Sequence, residues 1–234
     1  MNTIRLYIAQ TLHEGAAIVA SPAQAHYLGA VMRRAAGDEI RLFNGTDGEW
    51  EARIVGQARG SARLEAQRLV RPQTAESDLW LVFAPLKRDA TDLVVQKATE
   101  LGVSILQPVT TERTNAGRVN ADRMAAIAIE AAQQSERLTV PAVKPLAPLE
   151  QVLSDWQVDR PLFVAIERDS LPPVPAVNGP GALLIGPEGG LGPRDRRLLD
   201  QCPAVRPISL GPRILRAETA AIVALALLQR PVCG

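Results

Sequence analysis

Cysteine, histidine and lysine are scarce in this sequence of 234 residues, and their scarcity excludes several kinds of site. Two cysteines (Cys202, Cys233) and two histidines (His13, His26) cannot supply a Cys/His zinc site, so we expect no metal. Two cysteines also argue against a disulfide framework, which favours a reducing, cytoplasmic location. No run approaches the roughly 18 consecutive apolar residues that span a bilayer, so we expect no membrane partner.

Only three of the 26 basic residues are lysines (Lys87, Lys97, Lys144), and the rest are arginines. Arginine binds phosphate in a bidentate manner and stacks on bases, so this bias suits a nucleic-acid partner. A GC-rich coding sequence explains the same bias at least equally well. Residues 1–72 hold nine arginines against seven acidic residues and carry a net charge of +2, while the remainder carries −1. This difference is too small to establish a basic face.

The first 70 or so residues have the hydrophobic period of β-strands around one predicted helix. Ser21 as N-cap and Pro22 at the first helical position begin this helix, and Gly37-Asp38 ends it after Arg33 and Arg34. The pattern predicts a small barrel-like domain at residues 1–72. The strands that it predicts are 5–9, 16–20, 39–43, 50–55 and 62–70.

Beyond a polar linker at 71–77, continuous apolar strands alternate with helices. This alternation predicts βαβ units, a parallel sheet and an α/β domain at residues 73–234. The predicted strands are 78–86, 104–109, 161–166, 182–186 and 205–210, and the predicted helices are 89–101, 121–138, about 148–156, 193–200 and 216–229.

The segment 186–192 (GPEGGLG) directly follows a predicted strand and holds four glycines in seven residues. Glycines let backbone N–H groups approach a ligand closely, whereas a simple tight turn needs only one or two. The spacing matches neither G-x-G-x-x-G nor the P-loop pattern. Glu188 at its centre would repel a phosphate, so the segment suits an uncharged or cationic part of a ligand.

A second candidate segment is 209–216 (SLGPRILR), which precedes the last predicted helix. Ile214 and Leu215 are apolar residues in a loop, where they either pack on a ligand such as an adenine ring or fill the core beneath. The following helix, 216–229, is apolar almost all the way round, so we expect the core, a partner subunit or both to bury it.

The polar residues of predicted helix 121–138 recur at three- and four-residue spacing. Two interpretations are open, since such a stripe is either a solvated face or one wall of a site. The members of the stripe are Glu130, Gln133, Gln134 and Arg137.

These segments together resemble the RsmE family of SPOUT-class methyltransferases, which methylate N3 of a uridine in 16S ribosomal RNA. The similarity covers nearly the whole chain, with small departures at Met32 and Pro212. The motifs that carry it are His26, Val31-Met32-Arg33, Gly37-Asp38-Glu39-Ile40, Leu42-Phe43-Asn44-Gly45, QKATELGVSILQPVTTERT (96–114), EAAQQSER (130–137), LLIGPEGGLG (183–192) and SLGPRILRAETA (209–220).

The resemblance implies a PUA-like β-barrel in the amino-terminal domain and a Rossmann-like SPOUT domain with a deep trefoil knot. It also implies a homodimer, 16S ribosomal RNA or the small ribosomal subunit as partner, and S-adenosylmethionine as cofactor. The knot depends wholly on the family, because threaded chains are very rare. The residues that the family pattern places against the cofactor are Leu184, Ile185, Gly186, Pro187, Glu188, Gly189, Gly190, Leu210, Gly211, Ile214, Leu215 and Thr219.

For catalysis, the family's chemistry needs an arginine beside the uracil carbonyls and a carboxylate that accepts the N3 proton. We expect Arg88, Glu188 and Arg216 to be catalytic, and Glu188 also to face the cationic sulfur of the cofactor. The open alternatives are Arg113 and Arg137 for the arginine, and Glu100 and Glu130 for the proton acceptor. The expected RNA contacts are Arg5, Arg33, Arg34 and Arg113.

Two other function classes compete with this interpretation. One is an oxidoreductase that binds a dinucleotide, which the absence of the required glycine pattern disfavours. The other is a non-catalytic RNA-binding protein that kept the fold, against which the intact glycine segment counts.

Overall fold

The structure is a computed structural model that describes residues 4–58, 60–114, 119–166, 171–177 and 179–230. The chain divides into two compact units. The first consists of Met1–Ala75 and Ala132–Val140, and the second of Glu76–Ala131 and Pro141–Gly234. Each unit has its own hydrophobic core.

The first unit is built on a five-stranded sheet, as the strand-like sequence pattern predicts. Its strands are β1 (Arg5–Tyr7), β2 (Ala17–Ala20), β3 (Glu39–Phe43), β4 (Glu49–Ala58) and β5 (Ser61–Arg71). They lie in the order β1-β3-β4-β5-β2, with β1 parallel to β3 and the other neighbours antiparallel. Alternate residues of β5, among them Ala62, Leu64 and Ala66, are buried, because a strand presents every second side chain to the core.

The helix that follows β2 is shorter than its sequence predicts. Helix α1 (Pro22–His26) begins at the Ser21 cap but gives way to a π-helical turn at Tyr27–Val31. Arg33 follows with a φ of 53°, so it lies beyond the helix rather than in its last turn. The amide of Gln57, in the orientation that satisfies both partners, accepts from the Gly29 N–H and donates to the carbonyl oxygen of Arg34, and thereby holds the irregular backbone.

Arg5 lies in the interior of the first unit. Its Nε donates to the Glu49 carboxylate, and its two terminal nitrogens donate to the carbonyl oxygens of Ala132, Gln133 and Arg137 at 2.8–3.0 Å. All three nitrogens of the guanidinium are thus bonded within the protein. Arg5 is also buried, so its surroundings disfavour the expected RNA contact.

The second unit contains the predicted parallel sheet. Its strands are β6 (Leu79–Phe83), β7 (Ile105–Thr110), β8 (Ala142–Val143), β9 (Ala147–Pro148), β10 (Leu162–Ala165), β11 (Gly181–Ile185) and β12 (Val205–Ile208). They lie in the order β12-β10-β11-β6-β7-β8, with β9 also beside β7, and every pair is parallel. The two-residue strands β8 and β9 were not predicted, because two residues carry no periodic pattern.

The helices of the second unit follow the predicted positions closely. They are α2 (Arg88–Glu100), α3 (Ala121–Gln134), α4 (Leu149–Ser154), α5 (Pro193–Asp200) and α6 (Ala217–Leu228). The last three residues of α3, from Ala132, belong to the first unit. In the described part of the chain, no helix is long and apolar enough to cross a membrane.

Helix α3 ends at Gln134 rather than at residue 138, and its polar stripe is a solvated face only in part. The side-chain oxygen of Gln133 accepts from the backbone N–H of Tyr7 at 3.0 Å, and Arg137 is buried. Gln133 is half-buried and bonded within the first unit, while Glu130 and Gln134 are exposed to solvent.

Helix α6 packs against α2 and β11 and buries only one of its faces in the single chain. Ala221, Ala224 and Leu225 on that face are fully buried, whereas Thr219 and Ala226 are exposed. Within one chain the core therefore covers only this face, and burial of the opposite face stays a prediction that depends on a partner subunit. The helix is apolar on both sides, but only residues at three- and four-residue spacing can face the same neighbour.

A charged cluster holds the amino ends of β6 and β11. The Arg160 guanidinium lies 4.4 Å from the centre of the Trp80 ring and donates to the Asp78 carboxylate at 2.5 Å and to the Asp78 carbonyl oxygen at 3.0 Å. The hydrogen bond from Arg160 lowers the pKa of Asp78 below its ordinary value of 3.8, and hydrogen bonds from Trp80 and Ser104 act in the same direction. This cluster is structural, since ligands of parallel sheets bind at the opposite, carboxyl ends.

Candidate functional site

A cavity of about 870 Å³ lies at the carboxyl ends of four neighbouring strands, β12, β10, β11 and β6. Each strand contributes the residues that follow it, because the ends of parallel strands meet at one edge of the sheet. The lining residues lie in segments 85–90, 165–166, 185–191 and 210–220, together with Arg196. This volume is within the usual range of a small-molecule site, about 300–1,000 Å³.

Two glycines bring bare backbone to the cavity. Gly190 has a φ of 68°, and its N–H donates to the carbonyl oxygen of Pro187 at 2.8 Å, which closes a tight turn. Gly211 has a φ of 100°, and its N–H donates to Ser209 Oγ at 3.2 Å. A Cβ built on either glycine would have no atom within 4 Å, so both border open space that a side chain would enter.

Most of the residues expected at the cofactor line this cavity. They are Ile185, Gly186, Pro187, Glu188, Gly190, Leu210, Gly211, Ile214 and Leu215. Leu184 is instead buried inside β11, and Thr219 is exposed on α6. The carbonyl oxygen of Gly189 accepts from Arg113 Nη1 at 2.8 Å, so this glycine contacts the loop after β7.

The structure separates the candidate catalytic arginines. Arg216, the residue before α6, lines the cavity. Arg88 does not line it, and the preceding residue, Lys87, does so in its place. Arg113 is bonded to Gly189, and Arg137 is buried in the first unit.

The candidate proton acceptors separate in the same way. Glu188 lines the cavity, whereas the Glu100 carboxylate forms an ion pair with Lys97 at 2.8 Å. Glu130, on α3, does not line the cavity. Glu218, in the first turn of α6, lines the cavity but was not predicted.

Lys87 and Glu218 are two of the functional candidates that sequence reasoning missed. Each lies within two residues of a predicted one, beside Arg88 and after Arg216 respectively. A helix turns by about 100° per residue, so the sequence gives no way to choose which neighbour faces the site. The only available signal was their position directly after a strand or at the start of a helix.

The cavity combines charges of both signs with apolar surface. In the described part of the chain, the side chains of Lys87, Arg213, Arg216, Glu188 and Glu218 form no hydrogen bond or ion pair with other residues. Carboxylates of this kind can accept a proton or face a cation, and the basic groups can stabilise a developing anion. The described residues contain no cluster of three or more metal-ligating side chains.

The remaining expected RNA contacts lie at the surface of their units. Arg33 is exposed, and Arg34 is half-buried with Nη1 4.0 Å from the Asp38 carboxylate. Arg113 is exposed in the second unit.

Comparisons with known proteins identify the family. The model of an RNA methyltransferase domain matches residues 73–229, and that of an RNA methyltransferase PUA domain matches residues 21–66. Ribosomal RNA small subunit methyltransferase E of Rickettsia conorii is 37% identical over 235 residues, which cover 97% of this chain and 95% of the relative. The Synechocystis protein of the same name is 34% identical, with 95% of this chain and 76% of the relative covered.

Solved structures agree with the sequence matches. The crystal structure of ribosomal RNA small subunit methyltransferase E from Neisseria gonorrhoeae, bound to S-adenosyl methionine, has a TM-score of 0.88 at 26% identity and 97% coverage of both chains. A putative methyltransferase from Legionella pneumophila, in complex with the bound cofactor SAM, has a TM-score of 0.85 at 29% identity and 98% coverage of both chains. This chain therefore belongs to the ribosomal RNA small subunit methyltransferase E family, with a PUA-like amino-terminal domain and an α/β RNA methyltransferase domain.

Proposed function

We propose that this protein transfers a methyl group from S-adenosylmethionine to N3 of a uridine in 16S ribosomal RNA of the small ribosomal subunit. The observation that carries this proposal is the cavity at the carboxyl ends of β12, β10, β11 and β6, lined by the glycine segment 186–192. The chain belongs to a family of ribosomal RNA methyltransferases, and two similar structures hold this cofactor.

The residues around the cavity fit S-adenosylmethionine. Gly190 and Gly211 leave space that a Cβ would fill, so the backbone can approach the ligand. Ile214 and Leu215 offer apolar surface to an adenine ring, and Ile214 is 55% exposed where such a ring would cover it. Glu188 supplies a negative charge for the cationic sulfur.

When bound, S-adenosylmethionine supplies a methyl group on a positively charged sulfur, and the N3–carbon bond forms as the carbon–sulfur bond breaks. The protein must remove the N3 proton and stabilise the uracil anion. Glu188 and Glu218 are the carboxylates that line the cavity, so we assign proton acceptance to this pair. Arg216, aided by Lys87, offsets the negative charge on the uracil oxygens, and Arg88 remains a further candidate at the start of α2.

Calorimetric titration and modification mapping test this function. We expect S-adenosylmethionine to bind and nicotinamide dinucleotides not to bind. Small subunits from a strain that lacks the gene should accept a labelled methyl group at one uridine, located by sequencing-based mapping. Binding of a nicotinamide dinucleotide would favour an oxidoreductase, and a protein that binds RNA but no S-adenosylmethionine would be a non-catalytic RNA-binding protein.

We also propose the finer architecture that the family implies. The five-stranded sheet of the first unit would close into a PUA-like barrel, and segments 186–192 and 209–216 would form a deep trefoil knot. Support for the knot comes from α6, which follows the edge strand β12 but packs against α2 and β11, further into the sheet. Residues 1–72 would supply RNA affinity and residues 73–234 the chemistry, a division that the two family models support. Action on ribosomal RNA also implies a cytoplasmic location.

Replacement of Arg33 and Arg34 by alanine should weaken RNA binding. Phosphate contacts release counterions, so the slope of log affinity against log salt should flatten by up to about 1 for each phosphate that is no longer bound. Cofactor affinity should not change, since neither residue lines the cavity. Binding titrations at several salt concentrations provide the measurement.

The matched control removes two arginines whose ion pairs are closer than the 4.0 Å contact between Arg34 and Asp38. Arg53 and Arg68 form ion pairs with Glu39 and Glu51 in the same unit, so their joint replacement by alanine removes equal charge. We expect a smaller change in slope for this control. Unaltered RNA affinity and salt slope in the Arg33/Arg34 variant would show that RNA binds to another surface of the protein.

We propose that the outward face of α6 forms part of a homodimer interface. This face carries exposed Thr219 and Ala226 and half-buried Ile222 and Val223. Light scattering at micromolar concentration should give twice the chain mass of 25.1 kDa. Ala226→Glu should give a monomer, because it places a charge on the apolar face.

A matched control for the dimer is Val158→Glu, which adds the same charge at an exposed apolar position outside α6. This variant should remain dimeric. A fully active wild-type monomer of 25.1 kDa would contradict the interface.

A further inference from the structure

A network of hydrogen bonds joins the turn after β7 to the glycine segment 186–192. The turn spans Thr111–Thr114 and is closed by two bonds. The Thr111 N–H donates to Thr114 Oγ1 at 2.8 Å, and the Thr114 N–H donates to the Thr111 carbonyl oxygen at 3.1 Å. In the sheet β6 separates β7 from β11, so the network connects loops of strands that are not neighbours.

Asp195 is the buried centre of this network, with only 3% of its surface exposed. Its carboxylate accepts from the Gly192 N–H at 2.9 Å and from the Glu112 N–H at 3.1 and 3.2 Å. The Glu112 carboxylate in turn accepts from the Arg194 N–H at 2.9 Å. The turn and the start of α5 therefore donate to each other reciprocally, which defines their relative position from two sides.

Arg113 adds a contact within the glycine segment itself. Its Nη1 donates to the carbonyl oxygen of Gly189 at 2.8 Å, and a Cβ on Gly189 would lie 3.6 Å from the Arg113 side chain. A Cβ on Gly192 would overlap the Glu112 carboxylate. The turn is thus packed closely along the segment as well as bonded to it.

The bonded side of the segment is not the side that borders the cavity. Glu112, Arg113 and Asp195 do not line the cavity, whereas Gly186, Glu188 and Gly190 do. A segment with four glycines has many accessible backbone conformations, and fixing one of them costs conformational entropy. Bonds to a rigid neighbour offset this cost before the ligand arrives.

We propose that the turn Thr111–Thr114 is a brace that holds segment 186–192 in its cofactor-binding conformation, with Asp195 and Arg113 as positioning residues. The inference rests on the proposed function, because it assumes that S-adenosylmethionine occupies the cavity. It gives Arg113 a role in cofactor affinity in place of the expected RNA contact. It also gives a role to Glu112 and Asp195, for which the motifs suggested none.

Calorimetric titration of S-adenosylmethionine into Arg113→Ala and Asp195→Asn tests the brace. Each variant should bind the cofactor about tenfold more weakly, the usual effect of losing one hydrogen bond to a charged group. At saturating cofactor, methyl transfer should recover, so KM for the cofactor rises while kcat changes little. RNA affinity and its salt slope should equal those of the wild type in both variants.

Three further variants separate positioning from general damage. Arg194→Ala removes a side chain that pairs with Glu150 and leaves the backbone N–H that joins the brace, so its cofactor affinity should stay within about twofold of the wild type. Arg113→Lys retains a donor and should recover part of the loss. Gly192 has an ordinary φ of −75°, so Gly192→Ala should weaken cofactor binding only by displacing Glu112. If Asp195→Asn does not fold, Gly192→Ala and Arg113→Ala together test the brace.

The outcomes distinguish the brace from the function on which it rests. A wild-type protein that binds no S-adenosylmethionine overturns both. Wild-type cofactor affinity in Arg113→Ala and Gly192→Ala overturns the brace alone. Unchanged cofactor affinity with a salt slope reduced by about 1 in Arg113→Ala makes this residue a phosphate contact and overturns its positioning role.

Discussion

Gly190→Val should bind S-adenosylmethionine at least about 100-fold more weakly than the wild type while remaining folded. The backbone of Gly190 has a φ of 68°, a conformation that a β-branched residue adopts only with strain. Its Cβ would also project into open space bordered by the cavity. The variant thus both distorts the segment and fills the site. Calorimetric titration, with thermal unfolding to verify the fold, measures the effect.

Gly15→Val is the matched control for this variant. Gly15 has a φ of 77° and no atom within 4 Å of its Cβ position, but it lies in the first unit. Gly15→Val should destabilise the protein about as much as Gly190→Val does and should keep the cofactor affinity of the wild type. From the sequence alone, Gly189→Val is expected to weaken cofactor binding as much as Gly190→Val. In the structure the effect of Gly189→Val on the cofactor should be indirect, since its Cβ would contact Arg113. Wild-type cofactor affinity in Gly190→Val would contradict the proposal that S-adenosylmethionine binds in this cavity.

Arg216→Ala should lower methyl transfer by about 100- to 1,000-fold at saturating cofactor, the usual cost of removing a donor that stabilises a developing oxyanion. Of the four candidate arginines, Arg216 is the one that lines the cavity. The cofactor itself should bind nearly as in the wild type, because the charge that this side chain offsets belongs to the RNA base. Single-turnover transfer to small subunits gives the rate, and calorimetry gives the affinity.

Arg206→Ala controls for the loss of one positive charge in the same domain. Arg206 lies on β12, and among the described residues its guanidinium bonds only to the nearby carbonyl oxygens of Pro203 and Val205. The rate of methyl transfer by Arg206→Ala should equal that of the wild type. A wild-type rate in Arg216→Ala would instead assign the role to Lys87 or Arg213, which also line the cavity and whose side chains form no hydrogen bond or ion pair with other described residues.

Most elements of the second unit could be predicted because their sequences are long and periodic. The apolar runs of β6 and β11 and the pattern of α5 give their positions to within a few residues. Prediction of element bounds failed where residues distant along the chain contact the element. Helix α1 gives way to a π-helical turn beside Gln57, which lies on a strand far along the chain and whose amide is within hydrogen-bond reach of Gly29 and Arg34.

The candidate site divides in the same way. The glycine segment and the segment 209–216 could be recognised from composition and from their place after predicted strands. The burial of Arg5 and the bond from Arg113 to Gly189 could not be recognised, since exposed and buried arginines have the same local sequence signal. The same limit hid Glu218, whose orientation depends on how α6 packs.

By itself, the sequence determined the α/β class, the family and the two segments that line the cavity, because hydrophobic period, glycine spacing and motif order are properties of contiguous residues. Only the tertiary structure decided which charged side chains face the cavity and which are bonded elsewhere. It put Glu218 and Lys87 at the cavity, Arg5 in the interior and Asp195 at the centre of the brace. These assignments depend on partners that are distant along the chain, such as Glu112 and Asp195, and no local pattern records which distant residues meet.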